Sequence, residues 1–276
     1  MKPRTRLKDL VELVRAPAAL SVPGDVIAGA AAANRLGART AGLAGASVLL
    51  YWAGMAANDW ADREIDAKER PERPIPSGRV APNTALGLAA GLTVAAVFAA
   101  GFTGGRRALK VAVPLAGAVW AYDLGPKKPG LMAACRALNV LLGANERPSM
   151  AVWPAATVFA HTYTVTVLSQ FEVDGASPRL PSRTLAGTAL IAAAAGGTPA
   201  AGALAGWYAL RYGRPQLDAV RNPDAEHIRR AVGAGIVNLP ALQGALTARA
   251  GAPVLGVTVA ALSELARRLV RKVAAT

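Results

Sequence analysis

The side chains best suited to chemistry stand close together: Asn58, Asp59, Asp62 and Asp66, in the segment NDWADREIDAKERPERPIPSGR at positions 58–79, directly after an apolar run. An α-helix carries residues four apart on one face. A helix continued past the apolar run therefore projects Asn58, Asp62 and Asp66 together, with Asp59 beside them. Carboxylates this close repel one another and need a counter-charge, and hard oxygen ligands of this kind suit Mg2+ bridging to phosphate oxygens. The prolines of ERPERPIPSGRV stop the helix, and Arg70 and Arg73 can meet a diphosphate in forked geometry. Spacing alone leaves a second reading equally open, a solvated loop whose acids pair with Arg63, Lys68, Arg70 and Arg73.

The elements that must position these residues are apolar. The chain has 276 residues, is 53% hydrophobic with a mean hydropathy of +0.31, and arranges its Ala, Gly, Val and Leu in long blocks between short charged islands. A helix crossing a bilayer needs roughly 20 such residues. Spans are expected at 17–34, 40–58, 82–103, 107–123, 131–145, 150–169, 184–197, 199–212, 229–248 and 252–267, ten in all, or nine if the short pair meeting at Gly196-Gly197-Thr198-Pro199 merges. Runs such as GDVIAGAAAAN and TAGLAGASVLL are built of small residues that let helix backbones approach closely in lipid. The expectation is an all-α polytopic transmembrane bundle forming a single domain over 1–276, with no repeat or linker marking a second one.

A net charge of +14 raises nucleic acid as a partner, and the placement of the charge argues against it. With an N-in start, the alternate inside regions hold 23 of the 31 Lys and Arg residues and the outside turns 7, with Arg136 inside a span. That is the positive-inside bias of membrane loops, and it puts both termini and the large charged loops on the cytoplasmic side of a bacterial cell membrane. Cys135 is the only cysteine, which excludes an intrachain disulfide. The basic N-terminus MKPRTRLKDLVELVR carries no removable signal peptide pattern.

NDWADREID resembles the first aspartate-rich motif, N-D-x-x-D-x-x-x-D, of the UbiA prenyltransferase superfamily, and ERPIPSGRV resembles its continuation. The resemblance implies a helical bundle of about nine spans around a central cavity capped by cytoplasmic loops. It implies that Asn58, Asp62 and Asp66, with Asp59 close by, hold Mg2+ against the diphosphate of an isoprenoid donor. LVRAPAALSVPGDVIAG resembles the family's first span with Arg15 at its edge, and YDLGPKKPG falls where the family carries Tyr and Lys, so Tyr122 and Lys127 or Lys128 are implied at the donor phosphates. Lys127 and Lys128 read equally well as loop anchors. The second acidic motif departs from the family's D-x-x-x-D: in SQFEVDGASPR, Gln170 stands first and Asp174 last, leaving Glu172 and Asp174 as the implied metal ligands.

Polar residues within spans are expensive and face cavities or partners. Asp25, Arg136, Asn139, Glu146, His161 and Asn238 belong to this class. Asp25 and Arg136 read as an acceptor pocket or as a structural ion pair, and His161 as a general base or a satisfied core histidine. Trp52, Trp60, Trp120, Tyr122 and Phe171 offer π faces to an allylic cation. The resemblance implies a Mg2+-dependent alkyl transferase that joins an isoprenoid diphosphate to a small-molecule acceptor. Its similarity to the EboC-like bacterial branch implies a polar cyclic acceptor. The rivals are a membrane terpene cyclase of the same fold, carrier-lipid chemistry on a polar ring, and a small-molecule transporter, for which no inverted repeat is found. The framework of CDP-alcohol phosphotransferases is absent around Asp59.

Overall fold

A computed structural model describes residues 5–273, and among these the regular elements are all helices. In chain order they are α1 (Leu7–Leu13), α2 (Pro23–Ala32), α3 (Ala38–Ala61), α4 (Arg63–Glu69), α5 (Pro82–Leu124), α6 (Pro129–Ala144), α7 (Val152–Ser169), α8 (Arg179–Ala195), α9 (Pro199–Arg221), α10 (Ala225–Arg249) and α11 (Pro253–Val273). Single 3-10 turns at Ala16–Ser21 and Pro148–Ala151 lead into α2 and α7. Every expected span falls on helix. By length and composition, α3, α5 and α10 are long and apolar enough to cross a membrane. Residues 1–4 and 274–276, on which the expected placement of both chain ends falls, lie outside the described residues.

α5 carries two of the expected spans. Gly105 has φ 69°, ψ −161°, outside helical space, and a residue without a Cβ is needed there. Trp120 donates its indole N–H to Thr93 Oγ1 at 3.0 Å although the two are 27 residues apart. A straight helix would separate them by about 40 Å. The run is therefore two antiparallel helices turning at Gly105. One expectation shifts: α9 continues to Arg221 and α10 starts at Ala225, so the charged loop read at 211–230 shrinks to a three-residue turn whose Asp224 caps α10 by accepting from the His227 N–H at 2.9 Å.

The small residues do what their size predicts. A Cβ on Gly29 would run into the Val140 carbonyl and one on Gly143 into the Val26 carbonyl, so α2 and α6 touch backbone to backbone. Polar pins cross the same interface. Asp25 is fully buried, pairs with Arg136 at 2.9 Å, and accepts from Gln243 Nε2 at 2.6 Å and Asn139 Nδ2 at 3.3 Å.

The bundle has two polar ends. Arg39 and Asp59 lie 20 residues apart on α3, about 30 Å along its axis. At the Asp59 end gather α1, α4, the 70–81 loop and the start of α6; at the Arg39 end, Arg35 and Arg39 reach Glu146 at 3.0 and 3.1 Å.

Candidate active site

α3 ends at Ala61, and Asp62 takes φ −86°, ψ 2°. The hydrogen-bond ladder continues, from the Asp62 N–H to Asn58 O at 2.9 Å and from the Asp66 N–H to Asp62 O at 2.8 Å, but the shallow ψ rotates α4 relative to α3. The acids expected on one face therefore divide. Asp59 and Asp66, seven residues apart, turn to one side and share Arg73 Nη1, at 3.4 and 2.6 Å. Asp62 turns the other way and pairs with Lys127 Nζ. Arg15 Nη2 adds a 2.8 Å bond to Asp59, and Arg70 Nη1 stands 3.4 Å from Asp66. Asp59 and Asp66 are buried, with 4% and 1% exposure, so these cations are what keeps them tolerable in a low dielectric.

Two of those cations sit on strained backbone. Arg15 (φ 47°) and Lys127 (φ 49°) adopt the left-handed conformation, which costs a side-chain-bearing residue about 1–2 kcal/mol. Among the described residues the two other non-glycine residues at positive φ, Asn34 and Asn145, are of a type that tolerates it. Strain of this kind collects at ligand clamps. Arg73 is presented by the proline-rich loop, which is stapled to α1: Arg79 donates to both Glu12 carboxylate oxygens at 2.6 and 2.8 Å, to Asp9 at 3.1 Å and to the Glu72 carbonyl at 2.6 Å. The Arg6 backbone N–H, and then Arg79, hold the Asp9 carboxyl below its ordinary value.

Beneath this rim opens a cavity of about 350 Å³ between α3, α5, α6, α7 and α10. Leu50, Tyr51, Met55, Leu115, Val119 and Val232 make its wall largely apolar. At its upper edge stands Asp123, at the end of α5, 5% exposed and within hydrogen-bonding reach of the Asn58 amide. Deeper, Arg136 lines the wall, but its guanidinium is engaged by Asp25 and by the Ser21 carbonyl at 3.0 Å. Asp25 and Arg136 thus make the structural ion pair, set in the cavity wall. His161 also lines it, and its Nδ1 lies 2.8 Å from the Tyr208 hydroxyl with a further hydrogen bond to the Gly235 backbone; this is a satisfied histidine and not a free base.

The other expected residues divide as follows. Lys127 reaches the acids while Lys128 is exposed at the N-cap of α6. Tyr122 lines the cavity; Trp60 is instead covered by Arg63 at 4.8 Å, Trp120 is tied to Thr93, and Phe171 is 38% exposed. Tyr51 and Asp123 are cavity residues that the sequence reading missed. The signal for Asp123 was present, a lone acid closing an Ala/Val-rich span inside YDLGPKKPG.

The residues expected to hold metal are Asn58, Asp62 and Asp66 in the first motif and Glu172 and Asp174 in the second; among the described residues no three Asp, Glu, His or Cys side chains converge. Asp174 is exposed because the turn after α7 is pinned by the Ala176 N–H to the Pro223 carbonyl at 2.8 Å, with Gly175 at φ 76°. Glu172 is half-buried and its carboxyl is raised above its ordinary value by desolvation, against the opposing charges of Arg229 and Arg70. Mg2+ is nevertheless held in proteins through one or two carboxylates, with phosphates and water completing its shell. Asp59 and Asp66 already converge on a single cationic nitrogen, so the first motif fits that ion as a two-carboxylate clasp.

Comparison with known proteins agrees with the motif. Residues 22–172, more than half of the chain, match the UbiA prenyltransferase family. The chain belongs to that family. Among UbiA-like relatives, the digeranylgeranylglyceryl phosphate synthase of Ignicoccus hospitalis is 40% identical over 92 residues, 33% of this chain and 30% of that protein. The bacteriochlorophyll synthase 33 kDa chain of Cereibacter sphaeroides is 36% identical over 102 residues, 34% of this chain and 33% of that one. The digeranylgeranylglyceryl phosphate synthase of Methanopyrus kandleri is 32% identical over 132 residues, 44% and 48% of the two chains. The chain thus spans less than half of the length of these relatives, and only 21% of the corresponding synthase of Methanothrix thermoacetophila. A solved structure concerned with digeranylgeranylglyceryl phosphate synthase in membranes superposes with a TM-score of 0.66 at 18% identity, covering 88% of this chain and 98% of that one. The UbiA fold therefore extends through the C-terminal helices, beyond the matched residues.

Proposed function

We propose that this UbiA-family protein is a Mg2+-dependent membrane prenyltransferase that moves an isoprenyl group from an isoprenoid diphosphate to a small polar cyclic acceptor of the kind implied by the EboC-like branch. The observation that carries the reading is the rim of acids and cations, buried Asp59 and Asp66 and half-buried Asp62 with Arg15, Arg73 and Lys127, at the mouth of an apolar cavity. When bound, Mg2+ supplies charge neutralisation for the leaving diphosphate. Asp59 and Asp66 would hold it, with Asp62 and Asn58 beside them. Arg15, Arg70, Arg73 and Lys127 would turn from carboxylate to phosphate oxygens and take up the negative charge that develops as the C1–O bond breaks. The apolar wall takes the isoprenyl chain and excludes water, and Tyr51 and Tyr122 face the allylic cation.

In this reading the rim faces the cytoplasm, which the positive-inside pattern of the sequence supports. Purified protein in detergent, given Mg2+ and geranyl, farnesyl or geranylgeranyl diphosphate, should release diphosphate only with the metal present. Asp62→Ala and Asp66→Ala should abolish release while the protein stays folded. Full activity in both variants would refute the reading, and a hydrocarbon product formed without an acceptor would move it to a cyclase.

A further inference from the structure

The acids of the rim differ in one respect. Asp59, Asp62 and Asp66 are each neutralised by an Arg or Lys within 4.0 Å; among the described residues Asp123 makes no such ion pair. Its Oδ2 is buried and has no hydrogen-bond partner among the described residues, and an unsatisfied buried oxygen is a standing penalty that a bound donor would remove. The side chain lines the cavity, and the space around Oδ2 is kept open by Gly54, where a Cβ would stand 3.4 Å from Oδ2 and 2.9 Å from Val119 Cγ1. Asn58 approaches from the motif side, and the charges of Lys127, Asp62 and Arg15 act on it. Tyr122, Met132 and Cys135 border the cavity beside it.

From this geometry we propose that Asp123 is the acceptor-recognition residue: Oδ2 accepts a hydrogen bond from an O–H or N–H of the acceptor and holds that heteroatom beneath the diphosphate mouth. The inference rests on the proposed transferase reading and narrows it to hydroxyl- or amine-bearing acceptors. The donor's phosphates are taken up by the cations of the rim, while the cavity side of Asp123 admits donors of hydrogen bonds. In the transfer, the C1–O bond to diphosphate breaks with its electron pair. A lone pair of the acceptor oxygen forms the new C1–O bond, and the hydroxyl proton leaves with the released diphosphate.

The test uses the full chain in detergent with Mg2+, geranylgeranyl diphosphate and glycerol in large excess as the probe hydroxyl, comparing diphosphate release with the ratio of prenyl glyceryl ether to prenyl alcohol. Asp123→Asn should lower the ether-to-alcohol ratio by about tenfold, as loss of one strong hydrogen bond would, while diphosphate release falls far less than in Asp62→Ala. Gly54→Ala, which sets a methyl against Oδ2 and pushes on Val119, should lower the ratio in the same direction, and Asp123→Glu should restore part of it. An unchanged ratio in Asp123→Asn, no ether from the parent protein, or a fall in release matching that of Asp62→Ala would overturn the assignment, the last pointing to metal ligation. No release by the parent protein, or full release by Asp62→Ala, would instead defeat the transferase reading on which it rests.

Discussion

The two ends of the bundle use the same side chains to opposite purpose. At one end Glu146, 26% exposed, is approached by Arg35, Arg39 and Arg107 at 3.0, 3.1 and 3.9 Å, and the crevice around it is small. At the other, buried Asp59 and Asp66 compete for one Arg73, Asp62 takes a lysine on strained backbone, and an acid without an ion pair looks into a cavity. Cations in excess around one acid stitch the α2–α3 turn, the α5 bend and the end of α6 together. Four acids among four cations, with Arg73 shared between two carboxylates and Asp123 paired with none among the described residues, can exchange partners, which is what a site for a metal and a diphosphate requires.

Substitution at the two ends sharpens the contrast. Asp62→Ala or Asp66→Ala should lower diphosphate release by about 10²–10³-fold or more, whereas Glu146→Gln should leave it within about twofold and lower the melting temperature in detergent. Comparable losses of turnover at both ends would erase the distinction. Arg73→Ala strips the shared partner from two buried carboxylates and should destabilise the protein by about 3 kcal/mol, while Arg39→Ala, 68% exposed, should change stability by less than about 1 kcal/mol; chemical denaturation of both variants measures this. Gly105→Ala forces a Cβ into φ 69° and should cost about 1 kcal/mol or more without touching the rim.

The smallest effect is a pH dependence. Burial favours the protonated form of Glu172 in the folded protein, so its contribution to stability is complete below the unfolded pKa and declines as pH rises through the raised folded value. Glu172→Gln should therefore raise the melting temperature slightly at neutral pH and leave it unchanged near pH 4; a gain at the acid end only would reverse the sign.

Much of the fold was legible because the bilayer demands it: apolar runs of spanning length, small residues at contacts and turns rich in Gly and Pro each carry a local signal. The helix through Asn58, Asp62 and Asp66 was legible for the same reason, since i, i+4 spacing is a property of the chain alone. Which acid meets which cation was not. Asp62's shallow ψ sends Asp59 and Asp66 to one side, and the partner of Arg79 lies 67 residues upstream in α1. Asp123 went unnoticed beside Tyr122 because a lone acid closing an apolar span is only a weak local signal, and distant helices decide that it faces a cavity.

The sequence by itself determined the family, the helical class and the chemistry offered at the first acidic motif, because periodicity, residue type and spacing are local quantities. Only the tertiary structure decided that the 82–124 run folds back at Gly105, that Arg136 is spent on Asp25, that Asp174 is exposed while Glu172 is half-buried near Arg70, and that among the described residues Asp123 makes no ion pair. Each of these depends on what a distant segment brings within a few ångströms, where burial removes water and makes the choice of partner decisive.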